Sequence, residues 1–265
     1  SPRGGAERAA GSMSEIEVLV DVGRREAIAR LEEAVSGWRA SQGRAPLPAE
    51  ALPALPGGAH VAGDHEWRLR RHDLDLVRSL LRGRPPSRVL DFGAWNGWLS
   101  HRLASDGHEV TAADPFAGGA ALGAPWPGVV GWRRVQAELG DLERLDERFG
   151  VVIANRCLGF TPDPVAAVET LRHLLEPGGM LIATGLMIHR SPAVPAARIV
   201  AEREAFHAWS GLELFLAPTR GFLDRSDLAR LEAAGLRTAP YPALRLANLR
   251  SHIDRRRPEH RYGIT

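Results

Sequence analysis

Val89-Leu90-Asp91-Phe92-Gly93-Ala94-Trp95-Asn96-Gly97-Trp98-Leu99 is where the chain commits to a fold. A short apolar run ends at an acid, a glycine-containing turn comes next, and a second apolar run begins with helical spacing. The first run, bounded by turn residues, reads as a buried strand, and the second run reads as a helix. Gly93 and Gly97 give the turn backbone freedom and let a ligand come close to the main chain. The helix N-terminus behind them offers free N–H groups to an anion.

Outward from this block, strand and helix alternate. Arg88–Phe92 is a strand, Gly97–Ser105 a helix and His108–Ala113 a strand. Residues 117–131 form a Gly/Ala/Pro loop. Trp132–Ala137 and Val151–Ala154 are strands, Pro162–Leu175 is a helix, and Met180–Thr184 is the fifth strand after Pro177-Gly178-Gly179. This alternation predicts βαβ units, a doubly wound and mostly parallel sheet, and helices on both faces. Ligands bind such sheets beyond the carboxyl ends of the strands.

The flanks are less regular. Residues 15–39 carry Ile16, Leu19, Val20, Ile28, Leu31, Val35 and Trp38 at helical spacing. Residues 40–63 have no period and read as a linker. Asp64 is a good N-cap for a helix through Leu81. Beyond the fifth strand, 186–222 reads as an insertion with a helix at Ala196–Trp209. Asp224–Ala234 is a capped helix, and Leu236–Leu246 supplies one or two strands. Gly11-Ser12-Met13 has the look of a cloning scar, so residues 1–12 are expected to be a tag or disordered. The expected organisation is then an N-terminal helix and linker over 13–63, a main domain over 64–246 with the insertion 186–222 as its lid, and a basic tail over 247–265.

Composition narrows the class. A chain of 265 residues with 44% hydrophobic and 25% charged residues is long enough for a substantial core and is ordinary for a globular protein. The longest apolar run, Met180 to Ile188, is nine residues, far short of a membrane span. No basic-apolar-small leader opens the chain. A cytoplasmic protein without a membrane partner is therefore expected. One cysteine, Cys157, leaves no intramolecular disulfide and no cysteine-rich metal site, and no metal is expected. All 34 basic residues are Arg, and six fall in 245–265 against Asp254 and Glu259. A nucleic-acid footprint needs a wider basic surface, so the tail reads as solvated or as facing a second copy in a homodimer.

Four polar residues close four successive strands: Asp91, Asp114, Glu138 and Asn155. Asp114 follows Asp91 by 23 residues, and a carboxylate there can accept both ribose hydroxyls of an adenosyl group. Glu138, beside Leu139, is placed to read an adenine amino group. A nicotinamide dinucleotide fits poorly, because Gly93 to Gly97 lacks the Gly-x-Gly-x-x-Gly fingerprint.

On these residues the chain resembles the class I S-adenosylmethionine-dependent methyltransferases. Val89–Gly97 matches the first motif, Val110–Asp114 the second and Val135–Leu139 the third. Phe149–Phe160 matches the next strand and loop, and Leu174-Leu175-Glu176-Pro177-Gly178-Gly179-Met180-Leu181 the turn into the fifth strand. The resemblance covers 64–185 well and 224–246 loosely. It implies a Rossmann-like methyltransferase fold with a seven-stranded sheet and one antiparallel strand near an edge. It also implies S-adenosyl-L-methionine as methyl donor and S-adenosyl-L-homocysteine as product. Carried over by position, the cofactor residues are Asp91, Gly93, Ala94, Trp95, Asn96, Gly97, Asp114, Pro115, Glu138, Leu139, Asn155 and Arg156. Trp95 departs from the pattern, since the family's middle glycine falls there. Its indole, or that of Trp98, either packs in the core or faces the sulfonium as an aromatic partner.

The expected reaction is in-line methyl transfer to a small-molecule acceptor in a bacterial biosynthetic pathway. His189, directly after the fifth strand, is the candidate base, with His207 second. Arg156, Arg190 and Arg220 are candidates for holding an anionic acceptor. Cys157 reads as a small buried residue. The alternatives are an RNA or protein methyltransferase using the Arg-rich tail, and a non-catalytic cofactor-binding domain.

Overall fold

The structure is a computed structural model that describes residues 15–128 and 130–265; the expected tag over 1–12 lies outside them. In chain order the elements are β1 (Ile16–Val18), α1 (Val22–Ser41), α2 (His65–Leu81), β2 (Arg88–Phe92), α3 (Trp98–Ser105), β3 (Glu109–Asp114), β4 (Arg133–Gln136) and β5 (Phe149–Asn155). Then come α4 (Pro164–His173), β6 (Leu175–His189), α5 (Ala193–Ser210), β7 (Leu223–Asp224), α6 (Arg225–Ala233), β8 (Arg237–Pro240), α7 (Arg245–Ile253) and β9 (Glu259–Ile264).

The sheet runs β1-β4-β3-β2-β5-β6-β9-β8, with β7 beside the end of β6. The expected seven strands are its body, and β1 and β7 are additions. β9 is antiparallel to both neighbours and every other pairing is parallel. Alternate residues of one strand enter opposite cores, as the two-residue period requires. Leu90 and Phe92 face one cluster with Val152 and Ala154, while Val89 joins the other with Val151 and Ile153. A sheet covered on both faces needs continuous apolar strands, which β2 and β5 supply.

Caps fix the helix starts. Asp64 accepts from Glu66 N at 2.7 Å and Trp67 N at 3.0 Å, as its sequence position predicts. Asp224 and Asp227 form a reciprocal capping box at α6.

Three readings are corrected. Residues 15–39 are not one helix: Ile16–Val18 pairs with β4, and α1 starts only at Val22. The segment 40–63 is not a plain linker, because two 3-10 turns seat Leu52, Leu55 and Val61 in the core. The segment 247–265 is not a tail, because β9 fills the slot between β6 and β8. β6 also extends past both ends of the expected Met180–Thr184. A register shift at Ala183/Leu186 accommodates Gly185, whose φ of +65° is left-handed.

Candidate active site

The turn after β2 is built by close approach. A Cβ at Gly97 would lie 2.1 Å from the Trp132 ring, and one at Gly93 would lie 2.7 Å from Cys157 Cβ. Both glycines have positive φ, so other residues would be strained there as well as crowded. Gly93 N and Ala94 N donate to Ala113 O, tying the turn to β3. Asn96 turns its Oδ1 to Trp98 N and its carbonyl to Trp126 Nε1.

Asp91 is 1% exposed at the end of β2. Its Oδ2 accepts from Ser100 Oγ at 2.7 Å, while Oδ1 is buried with no hydrogen-bond partner. Burial pushes its carboxyl up to about 7; the Ser100 hydrogen bond opposes this and the neighbouring Asp114 adds to it. Asp114 accepts from Trp95 N at 2.8 Å through Oδ2 and from Phe116 N at 2.9 Å through Oδ1. Burial raises it to about 6 against those two N–H groups. Two acids at adjacent strand ends are thus both desolvated at the glycine turn.

Trp95 has a left-handed φ of +51° although it is not glycine. Its indole turns onto α2, stacked on Trp67 at 5.9 Å, with the Arg70 guanidinium 5.5 Å from its ring. Its aromatic face therefore already holds a cation. Trp98 meets Trp67 edge-on in the core.

Glu138 carries a partner that the sequence did not suggest. Arg24 of α1 grips it with two hydrogen bonds of 2.7 and 2.8 Å and also donates to Leu216 O. Glu32, one helical face further along, accepts from Ala117 N and Gly118 N in the loop after Asp114. Leu139 packs against the core, and Pro115 O accepts from Gln136 Nε2. α1 thus lies over the ends of β3 and β4. It is joined to α5 by Trp38, which packs on Phe206 and Trp209.

Asn155 and Arg156, expected at the cofactor, belong to another network. Asn155 Nδ2 donates to Thr184 Oγ1 and Asp73 Oδ2, and Arg156 Nε donates to Asp73 at 2.6 Å. Tyr241 donates to the other Asp73 oxygen at 2.6 Å and accepts from Gly185 N. Asp73 is fully buried, and no motif marked it. The remaining side of Arg156 lines a cavity of about 40 Å³ with Leu158, Thr184, His189, Arg198 and Phe222. A larger cavity of about 230 Å³ shares the Leu158–Gly159 and Phe222–Leu223 walls. Cys157, next in sequence to Arg156, backs onto Gly93 of the glycine turn. Burial and the nearby acids push the Cys157 thiol up, away from a thiolate.

His189 is buried at the end of β6 with an unpartnered Nδ1 and sits edge-on to Phe222. Burial, reinforced by Arg198 and opposed by Asp224, lowers its pKa. His207 is not brought to this place: it is exposed on α5 and turned to Leu212 O. Arg190 is turned to His252, and Arg220, although it lines the larger cavity, is bound by Asp224 and Asp227. Of the three arginines expected to hold an anion, Arg156 lines the smaller cavity, where Arg198 joins it. Among the described residues, no group of acids, histidines or cysteines could hold a metal ion.

The fold is an α/β domain of the methyltransferase kind, with two buried acids at its glycine turn. The family model described as "Methyltransferase domain" matches residues 65–239, and the chain belongs to that family. A ubiquinone biosynthesis O-methyltransferase from Cereibacter sphaeroides is 35% identical over 117 residues, 43% of this chain and 46% of that protein. The chain thus spans about half the length of such relatives. A malonyl-[acyl-carrier protein] O-methyltransferase from Pseudescherichia vulneris is 28% identical over 187 residues, 69% of this chain and 68% of that one. Among solved structures, the plantazolicin methyltransferase in complex with S-adenosylhomocysteine and a triazolic desmethylPZN analog has a TM-score of 0.51 at 16% identity, covering 91% of this chain and 96% of its own. Magnesium protoporphyrin IX methyltransferase from Synechocystis, also with bound S-adenosylhomocysteine, has a TM-score of 0.50 at 18% identity, covering 88% and 99%. At these identities the structures speak to the fold.

Proposed function

We propose that the chain transfers a methyl group from S-adenosylmethionine to a small-molecule acceptor that carries an anionic group. The observation that carries the reading is the pair Asp91 and Asp114 at the glycine turn. Asp91 Oδ1 is buried without a hydrogen-bond donor, a group that interiors rarely leave unmet. The ammonium of the cofactor's amino-acid portion is a donor of the right charge for it, and Asp114 has lone pairs left for ribose hydroxyls. The residues present therefore fit the cofactor. Leu139 and the α1 face around Arg24 would cover its base.

When bound, S-adenosylmethionine supplies a methyl group on a positively charged sulfur, a good leaving group. The chain's task is then mainly orientation, worth about 7–11 kcal/mol in well-aligned cases. Arg156 and Arg198 hold the acceptor's anionic group, and Phe222 and Leu158 flank its apolar part. His189, which lines the small cavity, accepts the acceptor's proton. The small cavity takes only a few waters, so α5 and the 211–222 loop must give way when the acceptor enters.

Calorimetric titration with S-adenosylmethionine and S-adenosylhomocysteine tests the first part. Micromolar binding, lost in Asp114→Ala, is expected; no binding by the intact chain would defeat the reading. Unchanged turnover in His189→Ala, once an acceptor is in hand, would remove the base.

A further inference from the structure

α7 is built inside out. Its inward face is polar: Asn248 and Ser251 are buried, Asn248 Nδ2 donates to His260 O, and His260 N donates to Asn248 Oδ1. Its large aliphatic residues point away. Leu246, Leu249 and Ile253 are 73%, 59% and 83% exposed, and their spacing places them in one stripe. A surface helix normally turns such a stripe to the core. An exposed apolar patch of this kind marks an interaction site.

The rim of the stripe is cationic. Arg245, Arg250, Arg255 and Arg256 are exposed, and no ion pair to them is seen among the described residues. The one acid of the segment's surface, Asp254, is bound to Arg257. An isologous contact with a second copy would set these arginines against themselves. A nucleic-acid backbone would satisfy the arginines and leave three aliphatic side chains facing phosphate and water. A bilayer with anionic headgroups satisfies both, because aliphatic side chains enter the headgroup boundary while arginines meet the phosphates.

We infer that α7 and the turn 254–257 form an attachment surface for an anionic lipid bilayer. This is surface contact and not a span, since no helix among the described residues is long and apolar enough to cross a membrane. The location gives the contact a use. β9 begins beside the end of β6, Ile188 opposite Glu259, and Arg190 Nη2 lies 3.1 Å from His252 Nε2 of α7. The stripe therefore lies at the rim of the face that carries the acceptor cavity. Attachment would bring that rim to the interface where amphipathic acceptors partition.

The test is co-sedimentation of the full chain with vesicles of phosphatidylcholine alone and of phosphatidylcholine mixed with phosphatidylglycerol. Binding to the mixed vesicles, weakened by salt and absent on the neutral ones, is expected. The triple variant Leu246→Ser, Leu249→Ser, Ile253→Ser and the pair Arg250→Glu, Arg255→Glu should each reduce it by about tenfold or more. Both sets lie on the surface, so melting temperature and S-adenosylhomocysteine affinity should stay at the parent values. Those two readouts separate this inference from the methyltransferase reading. No binding to the mixed vesicles, or equal binding by the triple variant, overturns it. So does a concentration-dependent dimer that the triple variant abolishes without any vesicle binding, or tight RNA binding in place of vesicle binding.

Discussion

Asp91 has its folded-state carboxyl raised to about 7 from an ordinary 3.8. The folded chain therefore holds that proton more tightly than the unfolded chain. Its contribution to stability is full below about pH 4 and is lost as pH rises through about 7. Asp91→Asn should thus raise stability at pH 8 by about 1–3 kcal/mol and change little at pH 4, read by urea denaturation at both values. The same substitution should weaken S-adenosylhomocysteine binding, because the neutral amide no longer offers a negative partner to an ammonium. Trp95 presents the opposite balance. Its left-handed backbone costs about 1–2 kcal/mol. Its stacking on Trp67 beneath Arg70 returns more, about 2–3 kcal/mol of burial with about 1 kcal/mol of ring contact. Trp95→Gly restores the family's residue yet should destabilise the fold by about 1–3 kcal/mol, measured as a lower urea midpoint at constant slope. An unchanged midpoint would mean that strain and packing cancel.

Among the elements, α1 is the one whose role the sequence concealed. Arg24 and Glu32 read as two charges on an exposed helix face, and nothing in their spacing announces Glu138 or the Gly118 amide as partners. The same holds for β1, where Ile16 fits a helical stripe and only β4 decides that it pairs. The buried parallel strands were legible because they must be apolar throughout. β9 was not, because Glu259-His260-Arg261 is polar in sequence and its Glu259 is buried only with Arg261 at 2.6 Å beside it. For the site, the strand-end acids and the glycine turn were legible as local motifs. Asp73, Arg198 and Tyr241 were not, because they meet only through the fold. The Arg24 contact makes a kinetic prediction. It clips α1 to both Glu138 and the 211–222 loop, so Arg24→Ala should release the cover. Dissociation of S-adenosylhomocysteine, followed by stopped-flow fluorescence, should speed by about fivefold or more, since this partly exposed pair is worth about 1 kcal/mol. An unaltered dissociation rate would show that α1 does not gate the site.

At the scale of the molecule, one buried carboxylate joins parts of the chain far apart in sequence. Asp73 on α2 receives Asn155 and Arg156 from the end of β5 and Tyr241 from beyond β8. Through Tyr241 it also satisfies the Gly185 amide that the bulge in β6 frees from the ladder. The guanidinium it neutralises has a side chain only 15% exposed. Removing the negative charge leaves that cation in the interior without a counterion, a loss of about 3–5 kcal/mol for buried pairs. Asp73→Asn should therefore lower stability by about that much. Tyr241→Phe should lower it less, by about 2–3 kcal/mol, because Asp73 keeps Asn155 and Arg156 while the Gly185 amide and the second Asp73 oxygen each lose a partner. The two readouts should also separate at the cofactor. Arg156 precedes Cys157, and Cys157 backs directly onto Gly93, so a displaced Arg156 presses on the glycine turn. S-adenosylhomocysteine affinity should fall in Asp73→Asn and hold in Tyr241→Phe. Equal losses of affinity in the two would mean that the network acts on the turn only through overall stability, and that Arg156 does not couple the small cavity to it.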